Sequence, residues 1–331
     1  MSYLARSSAV VGSVPTPPGV AGASVRSPTE LRRPAERLPT PGAFQAPVRL
    51  VLRAQPQPLR YAVTTRWEER CYAEVTRTIV QKELLLSSVA HGGNLRVSWL
   101  ASEPTLRKPD LLALEELVVT LAGIYQKLVI DTSPAGGFLA LVNHPEIVAA
   151  WDRIEQELVA RYGEAEELTK ALRAAVAAQV AAPALLLGSL AHDYAYHLLV
   201  ANLYEQRFES GWGYGQARAF PHFLADTGVH FHERLELGDS AAPGRATLLV
   251  RGRLDEQRTD RAAVARQVAA ALATIGPPTG PPPDPAALTF AYRARYDLDM
   301  GTGWPVAVAA TITCISPAGY AKEYDLTVQQ L

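Results

Sequence analysis

Cysteine is almost missing from this sequence. The 331-residue chain has two, Cys71 and Cys314, far apart and each inside a strand-like run. That excludes a disulfide framework and the paired spacing of a zinc site; the two could bridge if their strands were neighbours, and otherwise read as small buried hydrophobes. Net charge is missing too: 32 Lys and Arg stand against 33 Asp and Glu, giving a formal -1 and an isoelectric point near 6.7. Such a chain has no global field to recruit nucleic acid or anionic lipid, and no strong local basic run stands out, so no nucleic-acid partner is expected. A long apolar run is the third absence. The opening MSYLARSSAVVGSV is too short for a signal-peptide core, and the most apolar stretch, Ala181 to Val200, is broken by Pro183, His192, Asp193 and His197. No transmembrane segment is expected, and a cytoplasmic location is the default.

What is present is ample material for a core, with 48% hydrophobic residues. Arginine heavily outnumbers lysine and alanine is abundant, a mark of GC-rich bacterial coding. Residues 1 to 48 are rich in Pro, Ser, Gly, Ala and Arg (SVPTPPGVAG, RSPTELRRPAERLPTPG). Such a segment cannot bury enough apolar surface to offset its ordering entropy, so alone it should be disordered or extended. Its functional version is an arm that docks on a protein partner or a second copy of the chain.

From Leu59 the text changes to period-two alternation. Tyr61, Val63, Thr65 and Trp67 share one face of LRYAVTTRW, a second run extends towards Leu86, and after Gly92-Gly93 the residues Leu95, Val97 and Trp99 point inward. These predict a meander of long strands. Over 109–124 the apolar spacing becomes helical, and a hairpin follows at 125–142. Asn143 is placed as N-cap with Glu146 three residues on, while Ile147, Trp151, Ile154, Leu158 and Tyr162 form a stripe closed by Gly163. Two more helices are expected, Glu164 to Val180 and Ala184 to Tyr204, the second interior over Leu185 to Leu190. Strands return at Val229 to Leu237 and Arg245 to Leu254. A helix over Asp260 to Ala273, a Pro-rich connector at 275–287 and three last strands complete the chain.

The element order lacks βαβα alternation, which excludes a doubly wound sheet. It predicts one α+β domain over 49–331: a strongly curved, mainly antiparallel sheet of about 8–10 strands in meanders, with the helical insertion 143–204 on one face. That outline resembles the half-barrel carriers of lipids and lipoproteins, in element order and not in any motif.

Chemistry concentrates in few places. GVHFHERLEL puts Val229, Phe231, Leu235 and Leu237 on one strand face and His230, His232, Arg234 and Glu236 on the other. Two imidazoles at that spacing can clasp a metal, but Arg234 opposes a cation, and a third ligand must come from His222, Asp193 or His197. Asp193 and His197 lie four apart on a helical face, as a dyad or as mutually satisfied core polar groups. SGWGYGQARAF, with Trp212 and Tyr214, lacks the lysine and spacing of a phosphate loop and reads as an irregular crossover, with these aromatics as candidate ligand or partner contacts. Asp297 and Asp299 suit a tight hairpin turn better than a calcium loop. Glu68, Glu69 and Arg70 read as a charged strand end. No cofactor is implied. The leading expectation is a non-catalytic interaction subunit using sheet edges and the N-terminal arm. A cradle for an apolar small molecule is the alternative, and a metal enzyme built on His230 and His232 comes third.

Overall fold

The fourteen strands and six helices are seen in a computed structural model that describes residues 47–107, 113–163, 167–191, 193–200, 202–209, 213–224, 227–239, 242–276 and 281–331. The expected arm therefore lies outside the described residues except for its last two. Val48 already belongs to the body: β1 (Val48–Arg49) pairs with β8 (Arg207–Phe208), and Val48, Leu50 and Leu52 are buried. The backbone of Arg53 is held by Thr302 and by the Trp304 indole, each at 2.9 Å. At Gly303, with φ +80, a Cβ would stand 2.2 Å from the Val51 carbonyl oxygen, so only glycine fits there.

Period-two alternation produces two meanders of sequence-adjacent antiparallel strands. The first runs through β2 (Leu59–Cys71), β3 (Glu74–His91), β4 (Asn94–Ala101), β6 (Lys127–Thr132) and β7 (Phe138–Leu141), with β5 (Thr105–Arg107) also against β3. The second runs through β9 (Tyr214–Leu224), β10 (Thr227–Gly238), β11 (Arg245–Leu254), β12 (Thr289–Asp299), β13 (Pro305–Ser316) and β14 (Tyr320–Gln330). One long-range ladder joins them, β2 to β14, from Cys71 opposite Tyr320 to Tyr61 opposite Gln330. The result is a twelve-stranded sheet. It is larger than the expected 8–10 strands, and it is open, neither closed nor strongly curled as expected. The count is higher because β9 occupies a segment whose pattern reads as an irregular crossover, and β5 is too short to show a period; β1 and β8, equally short, form a separate two-stranded sheet.

Side chains cross the joining ladder on both sides. Inside, Trp67 and Tyr324 stack with centroids 4.2 Å apart, and Tyr194 packs on both at 5.9 and 4.7 Å. Outside, Arg66 Nε donates to Asp325 at 2.9 Å and its terminal nitrogen to Glu323, while Thr311 donates to Asp325 at 2.7 Å.

The helices are α1 (Ala113–Ala122), α2 (His144–Tyr162), α3 (Glu167–Ala181), α4 (Pro183–Ala191), α5 (Tyr194–Val200) and α6 (Arg261–Ala273). Asn143 precedes α2 as expected but does not cap it. Its side chain accepts from Val129 N–H at 2.8 Å and donates to Lys127 C=O at 2.9 Å, tying the helix to β6, while Glu146 pairs with Lys127. The helix expected over Ala184 to Tyr204 is two helices, because the Asp193 carboxylate accepts from the N–H groups of Ala195 and Tyr196 at 2.9 and 3.1 Å and starts α5 afresh. Helix α4 is not interior throughout: Leu186 and Leu190 are buried, but Leu185 is 62% exposed. Within the Pro-rich connector, Pro285–Ala287 forms a 3-10 turn, started by Asp284. Among the described residues no single helix is long and apolar enough to cross a membrane; the pair Lys170–Ala181 and Pro183–Ala191 passes together only across a 101° bend.

Packing is one-sided. Helix α5 lies against β13 and β14, α6 against β9 and β10, and α4 against β7. Along β12, β13 and β14 buried residues alternate with exposed or half-exposed ones that point away from the helices. Replacing Tyr324 by Ala should cost about 3–5 kcal/mol, the range for truncating a buried aromatic. Urea melts followed by circular dichroism and by tryptophan fluorescence check this, and an unchanged midpoint would show that the joining ladder does not depend on the stack.

Candidate functional site

Three charged groups sit on the helix-covered inner face, where alternation assigns apolar residues. Glu233 occupies the one polar slot between Val229, Phe231 and Leu235, and is 2% exposed. Register brings β9 beside it, with Phe231 opposite Arg218 and Glu233 opposite Gln216. Arg218 Nε donates to Glu233 Oε1 at 2.6 Å and the Gln216 amide to Oε2 at 2.5 Å, so the carboxylate is held from two sides. Burial works against the Arg218 charge, but the adjacent carboxylate outweighs it and holds the guanidinium above its ordinary pKa. The buried phenols of Tyr292 and Tyr296 border this pair, and burial first, with the neighbouring Glu233 charge, pushes both above the usual tyrosine range against an opposing pull from Arg218.

Glu69 is the second. The residues read as a charged strand end lie within β2, where Glu68 points out to pair with Arg77 at 2.7 Å and Glu69 points in, 6% exposed. Tyr320 donates its hydroxyl to Glu69. Lys322, 7% exposed, places its ammonium 5.5 Å from the Trp67 ring and 5.6 Å from Phe223. Cys314 stands opposite Lys322 on β13, and burial pushes its thiol up to about 12. Cys71 is on β2, two strands away across β14, so the Cα atoms are roughly 10 Å apart at the usual strand spacing. That exceeds the ~7 Å reach of a disulfide, and the two are not bridged.

The third group is Lys82, half-buried on β3 with its ammonium 4.5 Å from the Tyr196 ring. Burial lowers its pKa, and Tyr196 and Asp193 more than restore it. Asp193 thus starts α5 and balances a cation beneath it, which accounts for its place in an otherwise apolar stretch.

Of the metal candidates with described side chains, Asp193 is kept apart from His230 and His232. His230 and His232 share the outer face, where His232 Nε2 lies 3.2 Å from Asp255, with Arg258 beside the same carboxylate at 3.8 Å. Asp193 works on the inner side, across the sheet from them. The side chains of His197 and His222, and all of Trp212, lie outside the described residues. Among the described residues no group of three or more His, Cys, Asp or Glu is arranged to hold a metal. Tyr214, the other aromatic candidate, begins β9, stacks on Phe208 at 5.0 Å and donates to the Arg207 carbonyl. The wall expected for an apolar cradle is occupied by fully buried Trp99, Tyr204, Phe208, Phe220, Phe231, Tyr292 and Trp304.

The comparisons leave the question to the geometry. No family model matches this sequence, and no curated protein does. Among solved structures, one titled for lipid-protein interactions in lipovitellin matches at 11% identity and a TM-score of 0.42, over 84% of this chain. This chain spans 25% of the lipovitellin chain. DynF from the dynemicin biosynthesis pathway of Micromonospora chersina matches at 7% identity and a TM-score of 0.18, over 90% of this chain and 92% of its own. At scores this low neither likeness decides an activity.

Two outcomes test the assignments. Glu233→Gln leaves Arg218 buried without its counter-charge and should cost about 3–5 kcal/mol, and Glu233→Gln with Arg218→Met should recover part of that loss; additive losses in chemical denaturation would overturn the pairing. His230 has its pKa pulled below the ordinary 6.5, by burial first and then by Arg258, against a smaller pull from Asp255. The unfolded chain therefore binds this proton more readily, and His230 favours the fold above pH 6.5 and loses that contribution as pH falls through the lowered value. His230→Gln should flatten the stability profile below pH 6.5, measured by thermal melts across that range.

Proposed function

We propose that this protein is a non-catalytic interaction subunit that meets its partner through the uncovered sheet face and the free edge of β9. The observation that carries this reading is the one-sided burial: helices cover one face of the twelve-stranded sheet, while the other is left to solvent. Inner-face charged groups engage one another or neighbouring rings, and so support the sheet. The outer face is divided. On β3 and β4 it shows Leu85, Val89 and Leu100, exposed by 37%, 50% and 50%, with Leu85 directly opposite Leu100. On β10 to β12 it is mostly polar and charged, with arginine the commonest residue. An exposed aliphatic zone beside a polar one is the composition of a docking surface.

Strand β9 adds a second element. It spans Tyr214–Leu224 and among the described residues pairs only with β10, so its other side offers backbone groups to an added strand. Pro221 interrupts the donors near one end, which limits the offer to the first part of the strand.

Light scattering coupled to size exclusion, with native mass spectrometry, tests the reading on the full chain and on residues 47–331. The shorter form starts before β1 so that its pairing with β8 is kept. A stable self-assembly, or a stoichiometric partner retained from the native host, is the expected result. A lone monomer in both forms at high concentration, with no partner retained, would sink it.

A further inference from the structure

On the outer face nearly every arginine has a carboxylate. Arg60 pairs with Glu83, Arg66 with Glu323 and Asp325, Arg77 with Glu68, Arg96 with Asp131, Arg234 with Glu236 and Arg295 with Asp297. Four residues on the sheet depart from this; Arg245, at the start of β11, stands opposite Asp299, and the other three cluster. Arg251, Arg253 and Arg293 are exposed, and no carboxylate lies within ion-pair distance of them among the described residues. They are neighbours: Arg251 stands directly opposite Arg293 on β12 and opposite Arg234 on β10, and Arg253 is the next outward residue along β11.

Directly opposed side chains have Cβ atoms about 5 Å apart, and like charges so placed destabilise a sheet. Alternate residues on one strand are ~7 Å apart. Three arginine side chains therefore rise from an island roughly 5 Å by 7 Å, an arrangement that works against the fold. Thr311 is opposite Arg293 on β13, Ala217 and Ala219 face outward on β9, and Asp255, two residues beyond Arg253, is engaged by His232 and Arg258.

We infer that this island is the docking point for a protein segment carrying two or three closely spaced carboxylates. Guanidinium forks match carboxylates in a bidentate geometry, which makes the recognition specific as well as electrostatic. The rim favours a short acidic motif over a continuous polyanion. Glu236, Asp297 and Asp325 bound the island, each already engaged by its own arginine, so a nucleic acid strand or a lipid surface extending past it meets neutral pairs and gains nothing further. No exposed Trp, Tyr or Phe lies among the exposed large hydrophobics of the described residues to stack a base. This inference rests on the uncovered face being the interaction surface.

The test uses the full chain and a short fluorescent peptide of alternating glutamate and serine, followed by anisotropy, with oligodeoxythymidine and phosphatidylserine vesicles in parallel. Peptide binding should weaken with salt and fall about tenfold for each of Arg251→Gln and Arg293→Gln. The same variants should melt no lower than the parent, because each removes a repulsion; that separates lost binding from lost folding. Tighter binding of the oligonucleotide or the vesicles than of the peptide overturns the carboxylate assignment. A stable complex that survives both substitutions overturns the island while leaving the interaction-subunit reading in place. Peptide binding by a chain that forms no complex of its own supports the island and counts against that wider reading.

Discussion

The ladder between β2 and β14 is the one pairing in the main sheet that sequence proximity does not supply. The other pairings there link strands joined by a turn or by one short excursion, so each meander can form from local contacts, whereas β2 and β14 must find each other across most of the chain. The investment of side chains there is correspondingly heavy. Trp67, Tyr324 and Tyr194 fill its inner side, Tyr320 and Glu69 close one end, and the Arg66 fork with Glu323 and Asp325 spans its outer side. Helix α5 lies over this ladder, so the helical insertion, which sits between the two meanders in sequence, also fastens them together in space.

Burial on one side only has a second effect, on charge. An inner slot that carries Glu, Lys or Arg must hold a partner or break the sheet, and Glu233 with Arg218, Glu69 with Tyr320, and Lys82 near Asp193 meet that demand in different ways. An outer slot carries no such demand. Cations there are paired where the fold benefits from pairing, and the arginines that remain opposed to one another are a property of the surface and not of the core.

Much of this was legible in the alternation. The long strands of both meanders, the stripe of α2 and the start of α6 at Asp260 follow from the period of their apolar residues and from one capping carboxylate. The text also placed His230 and His232 outward beside Arg234, as the structure does. Glu233 was the missed signal: it breaks the Val229, Phe231, Leu235 series in the middle, and a charge in a core slot calls for a counter-charge on the neighbouring strand. Strand β9 was hidden for a related reason, since its inward residues are Gln216, Arg218 and Phe220 and its outward ones Gly215, Ala217 and Ala219, so polarity runs opposite to the usual pattern. The break at Asp193 was obscured because helical spacing continues on both sides of it. Openness of the sheet depends on where the last strand pairs, which no local pattern states.

The two edges of the sheet are unequal, β7 with four residues and β9 with eleven. Symmetry gives that inequality a meaning. A head-to-tail contact from β9 of one copy to β7 of the next can match only the length of the shorter strand, and repeated it would grow without end. A contact that uses β9 twice would match the stretch before Pro221 with its own copy about a two-fold axis and leave only the short β7 edges outside. Strand lengths alone thus weigh against fibres and towards a closed pair, in a molecule whose long edge would otherwise be an aggregation hazard.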